Sequence, residues 1–159
     1  MDRFFLRLSM GYPTQEEEVS ILTHLGDRTP YEEVQTVTDP GMLRALRSKI
    51  AQVTVSDAIS SYIVDLVQKT RSHPQIKTGA SPRASRTLYQ GAKAWAAMQG
   101  RSFVIPEDVQ TIFSPVMNHR ITLTSEARLK KQTAEDVLAD ILSGTDVPPT
   151  QKELFGRHA

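Results

Sequence analysis

The sequence contains no cysteine among its 159 residues, which excludes disulfide bonds, thiol catalysis and cysteine-based metal sites. Long hydrophobic runs are also absent, so the sequence predicts no membrane span and no signal peptide. Lys and Arg total 19 against 18 Asp and Glu, and a net charge of +1 gives no bulk electrostatic reason to bind nucleic acid. We therefore expect a cytoplasmic protein with no nucleic-acid partner.

Motifs that run a reaction by themselves are equally absent. The sequence has no glycine-rich phosphate loop followed by Lys and Ser or Thr, and no His-Glu-x-x-His. Its four histidines do not show the spacing of metal ligands. We therefore expect no metal site, and no catalysis by this chain unaided.

The sequence does contain a series of amphipathic segments typical of α-helices. Phe4–Met10 precedes them, alternates with a period of two and predicts one β-strand without a partner. Helices are predicted to begin near Thr14, Asp39, Ser56, Ser81, Pro106 and Glu126, the last running to Leu142. The predicted class is all-α, a small bundle of about five to six helices preceded by one orphan β-strand.

The segment from Gly79 to Ser85 has the clearest chemistry. Gly79 can take a positive φ, Ser81 can cap the first helical turn, and Pro82 suits the first helical position. Arg83 then lies in the first turn, where the helix dipole disfavours a cation. A helix N-terminus with a guanidinium indicates an anion site, most simply for phosphate. The alternative is a surface arginine held in a salt bridge.

Three other basic residues, one near the N-terminus and two after the fifth helix, have simple structural interpretations. Arg3 precedes the predicted strand and can be an exposed side chain at a frayed terminus. His119 and Arg120 follow the fifth helix, where a basic pair complements the helix dipole.

Several segments together resemble MoxR-type AAA+ ATPases over about Asp2 to Leu142. The N-terminal part of the match is Asp2-Arg3-Phe4, the predicted strand, Gly11-Tyr12-Pro13 and the glutamate-rich helix. The remainder resembles that family's C-terminal lid in the segments Thr70-Arg71-Ser72-His73-Pro74, Gly79–Ser85, Gly100-Arg101, Pro106-Glu107-Asp108-Val109 and His119-Arg120-Ile121. The sequence departs from the pattern at Ile105, where Thr or Ser is expected before Pro106.

The resemblance implies specific roles for a few residues. Arg83 matches the sensor 2 arginine, with Ser81 and Pro82 at the start of its helix, and it would contact the phosphates of ATP. Arg3 is the candidate arginine finger, which would act in trans in the neighbouring subunit. The resemblance further divides the chain into a remnant of the AAA+ core at 1–12, a helical lid domain at 13–143 and a flexible C-terminal tail at 144–159.

The resemblance also implies partners. They are an α/β core that binds ATP and Mg²⁺, a homo-oligomeric ring such as a hexamer, and a von Willebrand factor A-domain protein. The full-length protein would be a chaperone-like machine that matures protein complexes. Walker A, Walker B and sensor 1 are absent from this sequence, so we expect a C-terminal fragment that binds no cofactor and hydrolyses no ATP alone. The alternatives are a helical DNA-binding module and a protein-interaction module with no nucleotide role.

Overall fold

The computed structural model describes residues 3–24 and 34–149, and most of these residues are helical. The helices are α1 Gln15–His24, α2 Pro40–Gln52, α3 Asp57–Ser72, α4 Pro82–Met98, α5 Pro106–Met117, α6 Ser125–Leu129 and α7 Ala134–Ser143. The two strands are β1 Ile76–Thr78 and β2 Thr122–Leu123, and they pair antiparallel with Ile76 opposite Leu123. The predicted all-α class is confirmed.

The chain forms two compact units. One comprises Met1–Arg7 and Ser48–Ala159, and the other Leu8–Arg47. In the smaller unit, α1 begins at the capping box that its sequence predicts. Thr14 donates from its backbone N and its Oγ1 to Glu17 Oε2, at 2.8 and 3.0 Å. These hydrogen bonds hold the pKa of Glu17 below its ordinary value.

The core of the larger unit lies among α3, α4, α5 and α7. Helix α4 packs against both α3 and α5. Its buried face includes Ala84, Leu88, Ala92 and Ala96, none with exposed surface. Because three of these side chains are methyl groups, the neighbouring helices can approach α4 closely. Larger side chains complete the core from the other helices: Leu66, Val67, Val109, Phe113, Val116, Met117 and Leu138.

The predicted strand Phe4–Met10 does not form. A strand requires a neighbour for its ladder of hydrogen bonds, and the described residues place none beside this segment. Arg7 N instead donates to Pro115 O at 2.9 Å, which satisfies one of the free carbonyl groups in the last turn of α5. The alternation with a period of two is present in the sequence, but such a segment becomes a strand only where a neighbouring strand shares its hydrogen bonds.

The predicted last helix, Glu126–Leu142, is interrupted and becomes α6 and α7. Lys131 has a φ of 57° in the left-handed region, which ends the first helical segment. Thr133 then starts α7 through a capping box with Asp136, whose Oδ2 accepts from Thr133 N at 2.9 Å and from Thr133 Oγ1 at 2.6 Å. These hydrogen bonds lower the pKa of Asp136.

Candidate functional site

The start of α4 is where the sequence predicts an anion site. Ser81 is the N-cap residue, with φ −73° and ψ 166°, and Pro82 occupies the first helical position as predicted. The side chain of Ser81, however, makes no capping hydrogen bond to the helix, and the first turn contains no acidic residue. The start of α4 therefore has no carboxylate or hydroxyl cap from the helix itself, and Ala84 N donates to the backbone carbonyl Ser81 O at 2.9 Å.

The backbone before α4 is fixed to the end of α3. Buried Thr70 accepts a hydrogen bond from Ala80 N through its Oγ1 at 3.0 Å, and the same Oγ1 donates to Val67 O at 2.6 Å. Arg71 Nε donates to Ala80 O at 2.8 Å. Both polar backbone groups of Ala80 thus bond to α3, so the position of the helix start depends on α3.

Gly79 is required by close packing. A Cβ at this position would lie 2.6 Å from Thr70 O and 2.7 Å from Arg71 Cα. Its φ is not in the left-handed region, which contains only Gly11 and Gly100 among the described glycines. Gly79 therefore does not use the positive φ that glycine can take. Glycine is needed instead because the backbone at the end of α3 occupies the space of a Cβ.

Arg83 extends from this anchored helix start towards solvent. The residue is exposed, and within residues 3–24 and 34–149 its guanidinium makes no hydrogen bond or ion pair. Its neighbour Ala84 is completely buried, and Thr87 Oγ1 donates to Arg83 O at 3.0 Å. The alternative of a salt-bridged arginine is therefore not what the described part of the chain shows. A charged group of this kind can bind an anion with little rearrangement of the helix.

Arg3, the other predicted site residue, is also exposed. The structure does not bring it into hydrogen-bond or ion-pair contact with Arg83. The backbone that follows Arg3 is held by the basic pair after α5. His119 Nε2 lies 3.0 Å from Phe4 O, and Arg120 donates to both Phe4 O and Phe5 O, the latter at 3.3 Å. The helix-dipole interpretation of this pair is therefore incomplete. Arg120 Nη1 does donate to Val116 O at the end of α5, but its bonds to Phe4 O and Phe5 O reach the N-terminal segment.

At the start of α5, a carboxylate of the first turn bonds to neighbouring groups of the protein. Asp108, 1% exposed, forms a bidentate ion pair with Arg101. It also accepts from Ile105 N at 2.9 Å, which is the half of a capping box that the carboxylate supplies. Ile105 has no side-chain acceptor for the first-turn amides, and Asp108 N donates to Ile105 O at 3.1 Å. The hydrogen bond to Asp108 raises the pKa of the Arg101 guanidinium. No sequence prediction pairs these two residues, which lie seven positions apart on either side of the α5 start.

Two kinds of feature are absent from the part of the chain that the structure describes. No group of three or more His, Cys, Asp or Glu side chains is arranged to hold a metal ion among residues 3–24 and 34–149. No helix within the same ranges has the length and apolar character needed to cross a membrane.

Known proteins resemble this chain over most of its length. The AAA lid domain family matches residues 68–141. YeaC of Bacillus subtilis, described as an uncharacterized protein, is 36% identical over 148 residues, covering 93% of this chain and 46% of YeaC. Chaperone MoxR1 of Mycobacterium tuberculosis is 32% identical over 156 residues, covering 92% of this chain and 41% of MoxR1.

A solved protein structure is also similar to this chain. The crystal structure of a candidate ATPase from Cytophaga hutchinsonii superimposes with a TM-score of 0.81 at 28% identity, covering 93% of this chain and 48% of that protein. The chain spans about half the length of the curated relatives it matches. Residues 68–141 run from the last turns of α3 into α7 and contain the complete α4 start with Arg83. These residues are an AAA lid domain, and the chain that contains them is a relative of the MoxR-type AAA+ ATPases.

Proposed function

We propose that this chain is the lid of a MoxR-type ATPase and that Arg83 is its sensor 2 arginine, which contacts the phosphates of ATP held by a separate α/β core. The observation that supports this most strongly is the exposed guanidinium without a partner in the described residues, on a helix start fixed by Thr70 and Arg71. A rigid position with a free cation suits the recognition of an anion that comes from elsewhere.

The residues present fit the phosphate end of ATP. Ser81 and Pro82 begin α4 without an acidic residue in the first turn, so its amides and Arg83 favour negative charge. They do not fit a complete Mg²⁺ site, because the described residues bring together no cluster of metal ligands. We therefore assign ATP-phosphate contacts to this chain, and the Mg²⁺ ligands to the α/β core.

Arg3 is, in this proposal, the arginine finger that acts in the ATP site of a neighbouring subunit. Hydrolysis of the γ-phosphoryl group is catalysed mainly by positioning and by neutralising charge, and an arginine supplies both. Its action in trans requires a ring, which we propose to be a hexamer. Exposure of Arg3 is compatible with a contact to a second subunit.

The wider function is a chaperone-like role in the maturation of protein complexes, together with a von Willebrand factor A-domain partner, in the cytoplasm. One relative is itself named a chaperone, which supports this assignment. A DNA-binding role is not favoured, since the net charge of +1 supplies little attraction to phosphate backbones. A protein-interaction module without a nucleotide role is the remaining alternative.

The decisive experiment changes Arg83 in the protein that joins this chain to its α/β core. We expect Arg83→Gln to lower ATP turnover about 10²–10³-fold, as the loss of one preorganised charged donor does in other enzymes. The matched control is Arg86→Gln on the same helix, exposed and without a partner in the described residues, which should leave turnover unchanged. Equal turnover in both variants would favour the protein-interaction module.

Without the core, the chain should show no ATP hydrolysis above background. Turnover by the purified chain that disappears in Arg83→Ala would contradict the proposal.

A further inference from the structure

His119 and Arg120 are placed by the structure against the residues that directly follow Arg3. The carbonyl oxygen of Phe4 accepts from His119 Nε2 and from Arg120, and the carbonyl oxygen of Phe5 accepts from Arg120 Nη1. A carbonyl oxygen only accepts, so His119 carries a proton on Nε2 in this arrangement. These bonds join residues that are distant in sequence, with a separation of 116 positions for Arg120 and Phe4.

Hydrogen bonds hold the backbone of this segment, whereas its aromatic residues are only partly buried. The side chains of Phe4 and Phe5 are 69% and 45% exposed, so neither is a full member of the core. Arg7 N adds a further hydrogen bond to Pro115 O. Bonds from a charged donor are stronger than those between neutral groups, and the guanidinium fork fixes direction as well as distance.

The same arginine also completes the end of α5. Arg120 Nη1 donates to Val116 O, one of the carbonyl groups that a helix leaves free in its last turn. Through one guanidinium, the end of α5 and the backbone at Phe4 and Phe5 are therefore connected. Met1–Arg7 accordingly belongs to the same compact unit as α3 to α7.

We infer that His119 and Arg120 are positioning residues for Arg3, which they fix relative to the lid by holding the carbonyl groups of Phe4 and Phe5. This inference rests on the proposed function, in which Arg3 acts in trans and Arg83 acts in its own subunit. Its consequence is that the lid of one subunit directs the arginine finger that serves the next subunit.

The experiment uses the protein joined to its α/β core and measures ATP turnover of Arg120→Gln and Arg120→Lys. Lysine keeps the positive charge but cannot bond several carbonyl groups in the planar geometry of arginine, so both variants should lose activity. A small misplacement of a reacting group costs about 100-fold in rate, and we expect a fall of about 10–100-fold. Arg128→Gln is the matched control, because Arg128 also donates to a backbone carbonyl, Leu123 O at 3.0 Å. It should retain full turnover.

Mixing variants separates positioning of Arg3 from a general effect on the lid. A mixture of Arg120→Gln with Arg83→Ala should recover activity, because some neighbouring pairs combine an intact Arg83 with an intact, correctly held Arg3. In a random ring about one in four interfaces has this combination. A mixture of Arg120→Gln with Arg3→Ala should recover nothing. A variant that simply damaged the lid would also damage its own ATP site and would not complement Arg83→Ala.

The outcomes distinguish the two proposals. If Arg3→Ala abolishes turnover while both Arg120 variants remain fully active, the positioning role is overturned and the proposed function stands. If the Arg120 variants fold but do not complement Arg83→Ala, the positioning role is again overturned. If Arg3→Ala leaves turnover unchanged, the assignment of the arginine finger fails and this inference fails with it.

Discussion

The helices α4 and α5 begin with similar residues, but their N-terminal turns differ in charge. Both have proline at the first helical position, and neither has a capping hydrogen bond from the side chain of its N-cap residue. In α5 the buried carboxylate of Asp108 bonds to Arg101 and to Ile105 N. In α4 the first turn has no carboxylate, and the exposed Arg83 is unpartnered within the described residues.

The difference supports our proposal that the α4 start binds an anion, whereas the contacts at the α5 start stabilise the fold. At α5, the protein itself supplies the anion that a helix N-terminus favours, and an arginine neutralises it. At α4, the guanidinium of Arg83 adds positive charge to the helix N-terminus, and the first turn contains no carboxylate to neutralise it. In our proposal this start is therefore suited to an anionic ligand. The α4 start is nevertheless rigid, because Thr70 and Arg71 hold Ala80.

The largest expected contrast is in stability, between Asp108→Ala and Arg83→Gln. Removing Asp108 leaves Arg101 without its carboxylate in a partly buried position and Ile105 N without an acceptor, so unfolding should become easier by about 3 kcal/mol. Arg83→Gln removes no hydrogen bond or ion pair among the described residues and should change the free energy of unfolding by less than about 0.5 kcal/mol. Urea unfolding followed by circular dichroism measures both. Similar changes in the two variants would contradict the assignment of one start to stability and the other to binding.

Local chemistry made the helix starts predictable from the sequence. Pro82 and Pro106 indicate first helical positions through their fixed φ, and Thr14 with Glu17 gives a capping box three residues apart. The amphipathic period likewise predicted the buried face of α4. Signals of this kind depend on residues a few positions apart, and the structure confirms them.

Features that depend on distant contacts could not be predicted in the same way. Gly79 is needed because Thr70 O lies where a Cβ would be, which no turn rule indicates. Phe4–Met10 has the pattern of a strand but lacks a pairing partner among the described residues. The bonds from Arg120 to Phe4 O cross 116 positions of sequence, so a helix-dipole rule finds only the part that involves Val116.

A second prediction concerns Gly79, whose contacts fix the start of α4. In Gly79→Ala the new methyl group would overlap backbone atoms of Thr70 and Arg71, which should destabilise the protein by about 1–3 kcal/mol and displace Arg83. The matched control is Gly100→Ala, where φ is +73° but no atom lies within 4 Å of the added Cβ. It should cost about 1 kcal/mol through backbone strain alone.

Turnover in the protein joined to its core separates the two glycine variants. At a temperature where both are folded, Gly79→Ala should lower ATP turnover and Gly100→Ala should not. Normal turnover in Gly79→Ala would mean that Arg83 tolerates movement of the helix start, and that its rigid anchoring is unimportant.

The smallest expected effect is a pH dependence of stability at the start of α7. Here, as at α5, a carboxylate of the helix itself bonds to the N-cap backbone. The hydrogen bonds from Thr133 lower the pKa of Asp136 in the folded state, and Asp136 is exposed. A lowered pKa means that the stabilising contribution is complete above the ordinary carboxyl value of about 4 and is lost as the pH falls through the folded value. Asp136→Asn should therefore be less stable than the original protein at pH 7, and this difference should shrink in acid.

Thermal unfolding at pH 7 and at several acidic values measures this dependence. The matched control is Asp146→Asn, since Asp146 is exposed and makes no hydrogen bond or ion pair in the described part of the chain. Its difference from the original protein should stay near zero throughout the pH range. A difference for Asp136→Asn that persists unchanged in acid would show that the amide, and not the loss of a charged acceptor, is responsible. The starts of α5 and α7 would then differ from the α4 start in side-chain shape and not in electrostatics, and the comparison of α4 with α5 would lose its physical basis.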